Sequence, residues 1–399
     1  MRRLSSASEC LEGQKMFQIL SKANDFEKKG KKVIHFEIGD PDFPTPEKIV
    51  DRCVKALREG NTHYTSSGGM DCLKEASANI TLKSRGFKPD QNQILVTAGA
   101  NVQIFYALAC ICDPGDNVVY GDPAFVSYAS IMKFLGVIPN PIELQEEEGF
   151  RINVDKIEKN INKNTKAILI NSPHNPTGSI LSKDDVIAIY QLAKKYDLFL
   201  ISDEVYGRIY FEGASKFSSP GSIDYCKERT VVLHSFSKSY AMTGWRIGAV
   251  TAPAELIRRM QLLLETTSSC VAPFVQIAAT EALEMDQSEL QSMVKEYESR
   301  RDILVKSIED MPLVSAHRPE GAFYLMVNIK KTGLSDIEFS SRLLEEEYVA
   351  TCPGSYFGVY GSGYVRICFA TSKDNILEGM KRINRFLLNL KGNCHLNEC

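Results

Sequence analysis

Short apolar runs punctuate the middle of this chain, and segments of helical periodicity separate them. The runs lie at 94–97, 117–120, 166–170, 198–202 and 230–234, and the helical patterns at about 102–112, 125–135, 183–196 and 254–264. Runs this apolar have no polar face to turn to water, so they read as strands buried on both sides. Alternating with helices, they require mostly parallel pairing, with helices over both faces of the sheet. Asp113-Pro114-Gly115-Asp116 is a strong stop for the first of these helices. The alternating block covers roughly 47–280.

The rest of the chain is organised differently. A long polar helical stretch at 286–310 leads into a strand at 322–329, a helix at 336–347, a strand at 364–369 and a helix at 373–390, an α+β order. Near the start, an amphipathic helix at 15–28 precedes the turn-rich Gly39-Asp40-Pro41-Asp42-Phe43-Pro44-Thr45-Pro46. The expected fold is α/β: a large three-layer domain with a mostly parallel central sheet over 47–285, and a smaller α+β domain over 286–399. Residues 1–46 pack with the small domain. A ligand belongs at the carboxyl ends of the parallel strands, near the domain interface.

Composition narrows the function classes. The 399 residues carry a net charge of −3 and are 44% hydrophobic, which excludes a disordered chain and argues against a dedicated nucleic-acid binder. The eleven cysteines are scattered and form no Cys-x-x-Cys pair, so neither a disulfide scaffold nor a zinc ribbon is expected, and no metal. No run approaches the roughly 20 apolar residues of a membrane span. Met1-Arg2-Arg3-Leu4 is not followed by the apolar core of a secretory signal. The expected location is the cytoplasm.

The sharpest chemical signal is Ser235-Phe236-Ser237-Lys238-Ser239-Tyr240-Ala241-Met242-Thr243-Gly244-Trp245-Arg246-Ile247-Gly248, directly after the strand at 230–234. A lysine can form a Schiff base with a carbonyl. Ser235, Ser237 and Arg246 can hold a phosphate dianion, the arginine through charge-assisted bonds. A solvated Ser/Lys loop would explain Ser-x-Ser-Lys alone, but not the whole run.

This run resembles the lysine-attachment signature of the class I/II (fold type I) aminotransferases, which depend on pyridoxal 5′-phosphate. The resemblance covers roughly 15–390 and implies further roles. Asn175, in Asn171-Ser172-Pro173-His174-Asn175-Pro176-Thr177-Gly178, would bond the cofactor's phenolic oxygen; the turn chemistry itself explains only the Pro and Gly. His174 reads as packing or solvent-facing. In Ser202-Asp203-Glu204-Val205-Tyr206, Asp203 would keep the pyridine nitrogen protonated through charge pairing, and Tyr206 would reach the phenolic oxygen; the plain alternative for Asp203 is a helix cap. Thr97-Ala98-Gly99-Ala100-Asn101 joins a strand to a helix N-terminus, an anion site; the resemblance assigns Ala100 and Asn101 to the phosphate. Phe125, in Asp122-Pro123-Ala124-Phe125, would stack on the ring and touch substrate, although a core role fits its helix face equally.

Two motifs point to the substrate. Arg366 sits inside the apolar strand Tyr364-Val365-Arg366-Ile367, which is costly without a partner. A buried salt bridge is one solution; the resemblance implies a clamp on the substrate α-carboxylate. Gly39 matches a glycine whose backbone approaches the same carboxylate. Tyr64, in His63-Tyr64-Thr65-Ser66-Ser67-Gly68-Gly69, matches a tyrosine that reaches the neighbouring subunit's phosphate, which implies a homodimer.

The implied activity is transfer of an amino group between an L-amino acid and a 2-oxo acid, by ping-pong kinetics with Lys238 as attachment site and general base. Strict aspartate specificity is not expected. Asn101 stands where one dicarboxylate-specific subgroup has a lysine, and Thr266-Thr267-Ser268-Ser269-Cys270 offers no arginine to a partner. The alternative is other chemistry on the same cofactor, a lyase or cyclase reaction such as carbon–sulfur β-elimination. A cofactor-sensing regulator is a remoter reading, because no DNA-binding domain fits before the central block.

Overall fold

A computed structural model of the chain describes residues 4–214 and 217–396. Its strands, in chain order, are β1 (Ile34–His35), β2 (Ile94–Thr97), β3 (Asn117–Asp122), β4 (Ile138–Glu143), β5 (Thr165–Asn171), β6 (Phe199–Asp203) and β7 (Thr230–Ser235). They continue with β8 (Gly248–Thr251), β9 (Ser315–Ala316), β10 (Tyr324–Asn328), β11 (Val349–Ala350), β12 (Cys352–Pro353) and β13 (Tyr364–Cys368).

Seven strands form the main sheet in the order β2-β8-β7-β6-β5-β3-β4, parallel except for β8. The five apolar runs are its strands β2, β3, β5, β6 and β7. Side chains alternate to two separate cores. Val118, Leu169, Ile201 and Leu233 face one, with helices Ala100–Ile111 and Ala254–Ser268 packed over them. Val119, Ile168, Ile170 and Leu200 face the other, with helix Lys183–Lys195.

Two strands of the main sheet were not expected. β4 reads Ile-Pro-Asn-Pro-Ile-Glu, and only Ile142 of it is buried. Proline lacks the N–H that a central strand needs, so this sequence is tolerated only at the sheet edge, where β4 lies. β8 is four buried residues directly after the lysine run. The connection from β7 holds only a one-turn helix, Phe236–Ser239, and a 3-10 turn, Thr243–Trp245. Neither is a helix that could span a face of the sheet as a parallel crossover does, and the chain returns antiparallel.

A second sheet, β12-β13-β10-β9, is antiparallel throughout. Helix Ser288–Glu309 covers its core. That helix is polar in composition, but Leu290, Met293, Tyr297, Leu304 and Ile308 repeat at helical spacing and are buried. The N-terminal segment joins this part of the molecule. β1 pairs in parallel with β11, and Met16, Ile19 and Ala23 of helix Met16–Lys28 share a core with Leu344, Ala350 and Cys352. No described helix is long and apolar enough to cross a membrane.

One buried ion pair ties the main sheet to its helices beside the strand ends. Arg85 Nε donates to Glu204 Oε2 at 2.5 Å, with both side chains almost fully buried. Glu204 Oε1 accepts from Ser202 Oγ at 3.0 Å and Ser219 Oγ at 2.6 Å. All the carboxylate's partners are supplied by the fold, and removing the arginine strands a buried charge. Arg85→Ala is expected to lower the unfolding free energy by about 3–5 kcal/mol, read from the urea midpoint, with the Arg85→Ala/Glu204→Ala double variant less damaged than the sum of the singles. Additive losses would contradict this account.

Candidate active site

The carboxyl ends of β5, β6 and β7 face the second sheet across a cavity of about 400 Å³, large enough for a cofactor and a small substrate. The end of β7 supplies its amine. Ser235 caps the one-turn helix, its Oγ accepting from Ser237 N at 3.1 Å, and this turn carries Lys238 into the cavity. Lys238 Nζ donates to the Gly39 carbonyl at 2.5 Å. Burial pulls the amine down to about 8, and the nearby Arg366 and Arg246 act in the same direction against Asp40.

The sheet register gathers a second group. Thr97 and Ser235 both pair with Gly248, so the ends of β2 and β7 flank β8 at the same edge of the cavity. Gly99 has φ +84, and a Cβ there would meet Arg246 Nη2 at 2.5 Å. Glycine thus lets the Arg246 guanidinium approach the N-terminus of helix Ala100–Ile111. Arg246 itself has left-handed backbone (φ 51) and donates from Nη1 to Thr243 O at 2.7 Å. Ala100, Asn101, Ser235, Ser237 and Arg246 all line the cavity.

Asp203 ends β6 and is buried. Its Oδ2 accepts from Tyr128 OH at 2.6 Å and its Oδ1 from Val205 N at 3.1 Å. Burial pushes the carboxyl up to about 6, with the Tyr128 hydrogen bond opposing. No helix follows it, so it is not the helix cap of the plain reading; its Oδ1 braces a turn, and the residue lines the cavity. Phe125 lines the same wall and meets Tyr128 edge-on at 5.6 Å.

Asn171, at the end of β5, organises the next turn. Its Nδ2 donates to Asp203 O at 2.9 Å, and its Oδ1 accepts from Asn175 N at 2.9 Å. Asn175 Oδ1 accepts from Arg366 Nη1 at 3.2 Å, which fixes the amide's orientation. Arg366 is 1% exposed. Its guanidinium lies 4.5 Å from the Tyr324 ring centroid and 4.6 Å from that of Phe357, and its Nη2 donates to the Glu37 carbonyl at 2.5 Å. Among the described residues it forms no ion pair with a carboxylate, and its Nε has no partner. The buried salt bridge considered from sequence is therefore absent among those residues.

Of the residues singled out from sequence, Tyr64 alone lies off the cavity wall, at 88% exposed. Gly39 and Tyr206 line it, Tyr206 OH sharing a hydrogen bond with Tyr324 OH at 2.7 Å. Gly39 has no room for a Cβ, which would collide with the Tyr324 hydroxyl. His174 is buried, bonded to Thr177 Oγ1 at 2.7 Å and pushed down to about 3 by burial, a neutral packing residue. Sequence reasoning missed Tyr324, Asn171 and the apolar Met16, Phe17 and Ile38 at the cavity, and Tyr128, which bonds Asp203 from outside the lining. Tyr324 and Tyr128 look like ordinary core aromatics on a strand and a helix; only their partners distinguish them.

A depressed amine, a buried carboxyl and a guanidinium at a helix N-terminus fit the aldehyde, ring nitrogen and phosphate of pyridoxal 5′-phosphate. Comparison with known proteins agrees. The family model "Aminotransferase class I and II" matches residues 31–383. The chain is 40% identical to an aspartate aminotransferase of Pyrococcus horikoshii over 376 residues, 94% of each chain. It is 39% identical to aromatic-amino-acid aminotransferase 2 of Thermococcus litoralis over 358 residues, 89% of this chain and 92% of that one. The solved aspartate aminotransferase of Thermus thermophilus with maleate superimposes with a TM-score of 0.92 at 31% identity, covering 96% of this chain and all of the other. These relatives are named aminotransferases, which favours transamination over the elimination alternative. The chain belongs to the class I and II aminotransferases, and it is a pyridoxal-phosphate-dependent enzyme that moves an amino group between an amino acid and a 2-oxo acid.

Proposed function

We propose that the amino donor is a neutral, preferably aromatic, L-amino acid, with glutamate and 2-oxoglutarate as the other pair. The observation carrying this reading is the cavity's cation inventory. Its lysine and arginine side chains are Lys238, Arg246 and Arg366. Those have assignments as amine, phosphate ligand and α-carboxylate ligand, leaving no further lysine or arginine among the described lining residues for a side-chain carboxylate. Met16, Phe17 and Ile38 add apolar surface. The name of the Thermococcus litoralis relative supports the aromatic reading, and that of the Pyrococcus horikoshii relative supports the competing one.

Ala100, Asn101, Ser235, Ser237 and Arg246 would hold the cofactor's phosphate, Phe125 its ring face, and Asn175 and Tyr206 its phenolic oxygen. Tyr324 can donate to Tyr206, freeing the Tyr206 proton for that oxygen. Asp203 keeps the ring nitrogen protonated; a cation there draws its raised carboxyl back toward the ionised form. Bound in this cradle, pyridoxal phosphate supplies an electron-withdrawing ring that stabilises negative charge at the substrate α-carbon. Arg366 holds the substrate carboxylate by paired hydrogen bonds, with Gly39 at the same side of the cavity. Lys238 Nζ, whose desolvation lowers it to about 8 and so leaves far more neutral amine near neutral pH than an ordinary lysine has, removes the α-proton and redelivers it, in two half-reactions with ping-pong kinetics.

We also assign residues 1–46 and 286–399 to one domain unit beside the 47–285 domain, a reading supported by their shared core. The enzyme is placed in the cytoplasm, in keeping with nine free cysteines among the described residues. Two subunits pair so that the exposed Tyr64 reaches the partner's phosphate site.

Three outcomes are expected. Aromatic donors should exceed aspartate in kcat/KM by about tenfold or more in a panel of amino donors; a preference for aspartate would sink the substrate assignment. In cofactor-free protein, labelling of Lys238 by an amine-reactive reagent should rise with pH to a midpoint near 8, because only the deprotonated amine reacts. A midpoint near the ordinary 10.5 would refute the desolvated amine, and Lys238→Ala should abolish transamination. Sedimentation should report a dimer, and Tyr64→Phe should weaken cofactor retention by about tenfold; a monomer, or unchanged retention, would remove Tyr64 from the site.

A further inference from the structure

Asp122 ends β3, three residues before Phe125, and is 3% exposed. Among the described residues it has no cationic partner. Its carboxylate is held instead by backbone amides from the second half of the molecule. Oδ1 accepts from Tyr360 N at 3.1 Å, and the Val359 amide also bonds the carboxylate. A third bond joins the same two segments, from Ala124 N to Phe357 O at 2.7 Å. The approach is so close that residue 358 has no room for a side chain. Gly358 has φ +136, which L side chains rarely adopt, and a Cβ there would collide with the Asp122 carboxylate.

The segment held this way carries Phe357, whose ring is 3% exposed and lies 4.6 Å from the Arg366 guanidinium. A second ring close to the Arg366 guanidinium is that of Tyr324, anchored through Tyr206. Arg366 thus contacts Tyr324 and also a loop bonded to a carboxylate on the main sheet. The exposed Val359 and Tyr360 side chains contribute little packing of their own, so the amide bonds to Asp122 help to locate this turn, together with the Ala124–Phe357 backbone bond and the core around Phe357.

We propose that Asp122 is a positioning residue for substrate binding: by accepting the amides of Val359 and Tyr360, it holds Phe357 against Arg366 and so orients the guanidinium for the substrate carboxylate. Asp122 touches neither substrate nor cofactor in this role. The inference rests on the assignment of Arg366 as the carboxylate ligand.

The test compares the holoenzyme forms of wild type, Asp122→Ala, Asp122→Asn, Phe357→Leu and Arg366→Leu. Two quantities are read for each: the dissociation constant of a substrate-like carboxylic acid, 3-phenylpropionate, from the cofactor absorbance, and the single-turnover rate with 2-phenylethylamine, an amine without a carboxylate. Asp122→Ala and Phe357→Leu should weaken the acid by about tenfold while leaving the amine rate within about twofold. Asp122→Asn, which keeps one acceptor, should fall between wild type and alanine, and it decides the matter alone if the alanine variant does not fold. Equal losses for acid and amine, or no loss of either, in the Asp122 variants would overturn the proposal. If Arg366→Leu itself fails to separate acid from amine, the carboxylate assignment of Arg366 is what falls.

Discussion

A guanidinium is buried at Arg366 with no ion pair to a carboxylate among the described residues, and much of the cavity's architecture answers to that. A charge in this position is unstable unless hydrogen bonds and polarisable groups surround it. Here the Glu37 carbonyl and the Asn175 amide take two of its donors, and the Tyr324 and Phe357 rings lie close to it. Those partners come from the N-terminal segment, the main sheet's β5 turn and the second sheet. The charge can be accommodated only where all three meet, which is where an anionic substrate can complete the set.

Desolvation then sets the rest of the chemistry with opposite effects on opposite groups. It lowers the Lys238 amine to about 8 and raises the Asp203 carboxyl to about 6. Both shifts favour the uncharged form in the protein alone. For the lysine that form is the reactive one. For the aspartate, a cation beside it would lower the carboxyl again and favour its ionised form.

The central sheet was largely legible because its strands are apolar on both faces and its helices are amphipathic, a pattern with one stable arrangement. β4 was not, since its prolines mimic a loop until its edge position is known. β8 was not, since four residues after a motif carry no periodicity. The site was legible where a motif named a residue type that local structure does not need, as with Asn175, Lys238 and Arg366. It was illegible at Tyr324, Tyr128 and Asp122, whose residue types suit any core or turn. Their importance lies in partners distant in sequence.

The sequence alone determined the alternating α/β framework, the family and many of the side chains that line the cavity, because binary patterning and local motif chemistry act over short spans of chain. Tertiary structure decided the antiparallel insertion of β8, the lack of an ion pair to Arg366 among the described residues and the burial that shifts Lys238 and Asp203. It also decided the anchoring of the Phe357 turn by a carboxylate on the main sheet. Those properties depend on how far each group is removed from water and which remote segment faces it, and only packing fixes both.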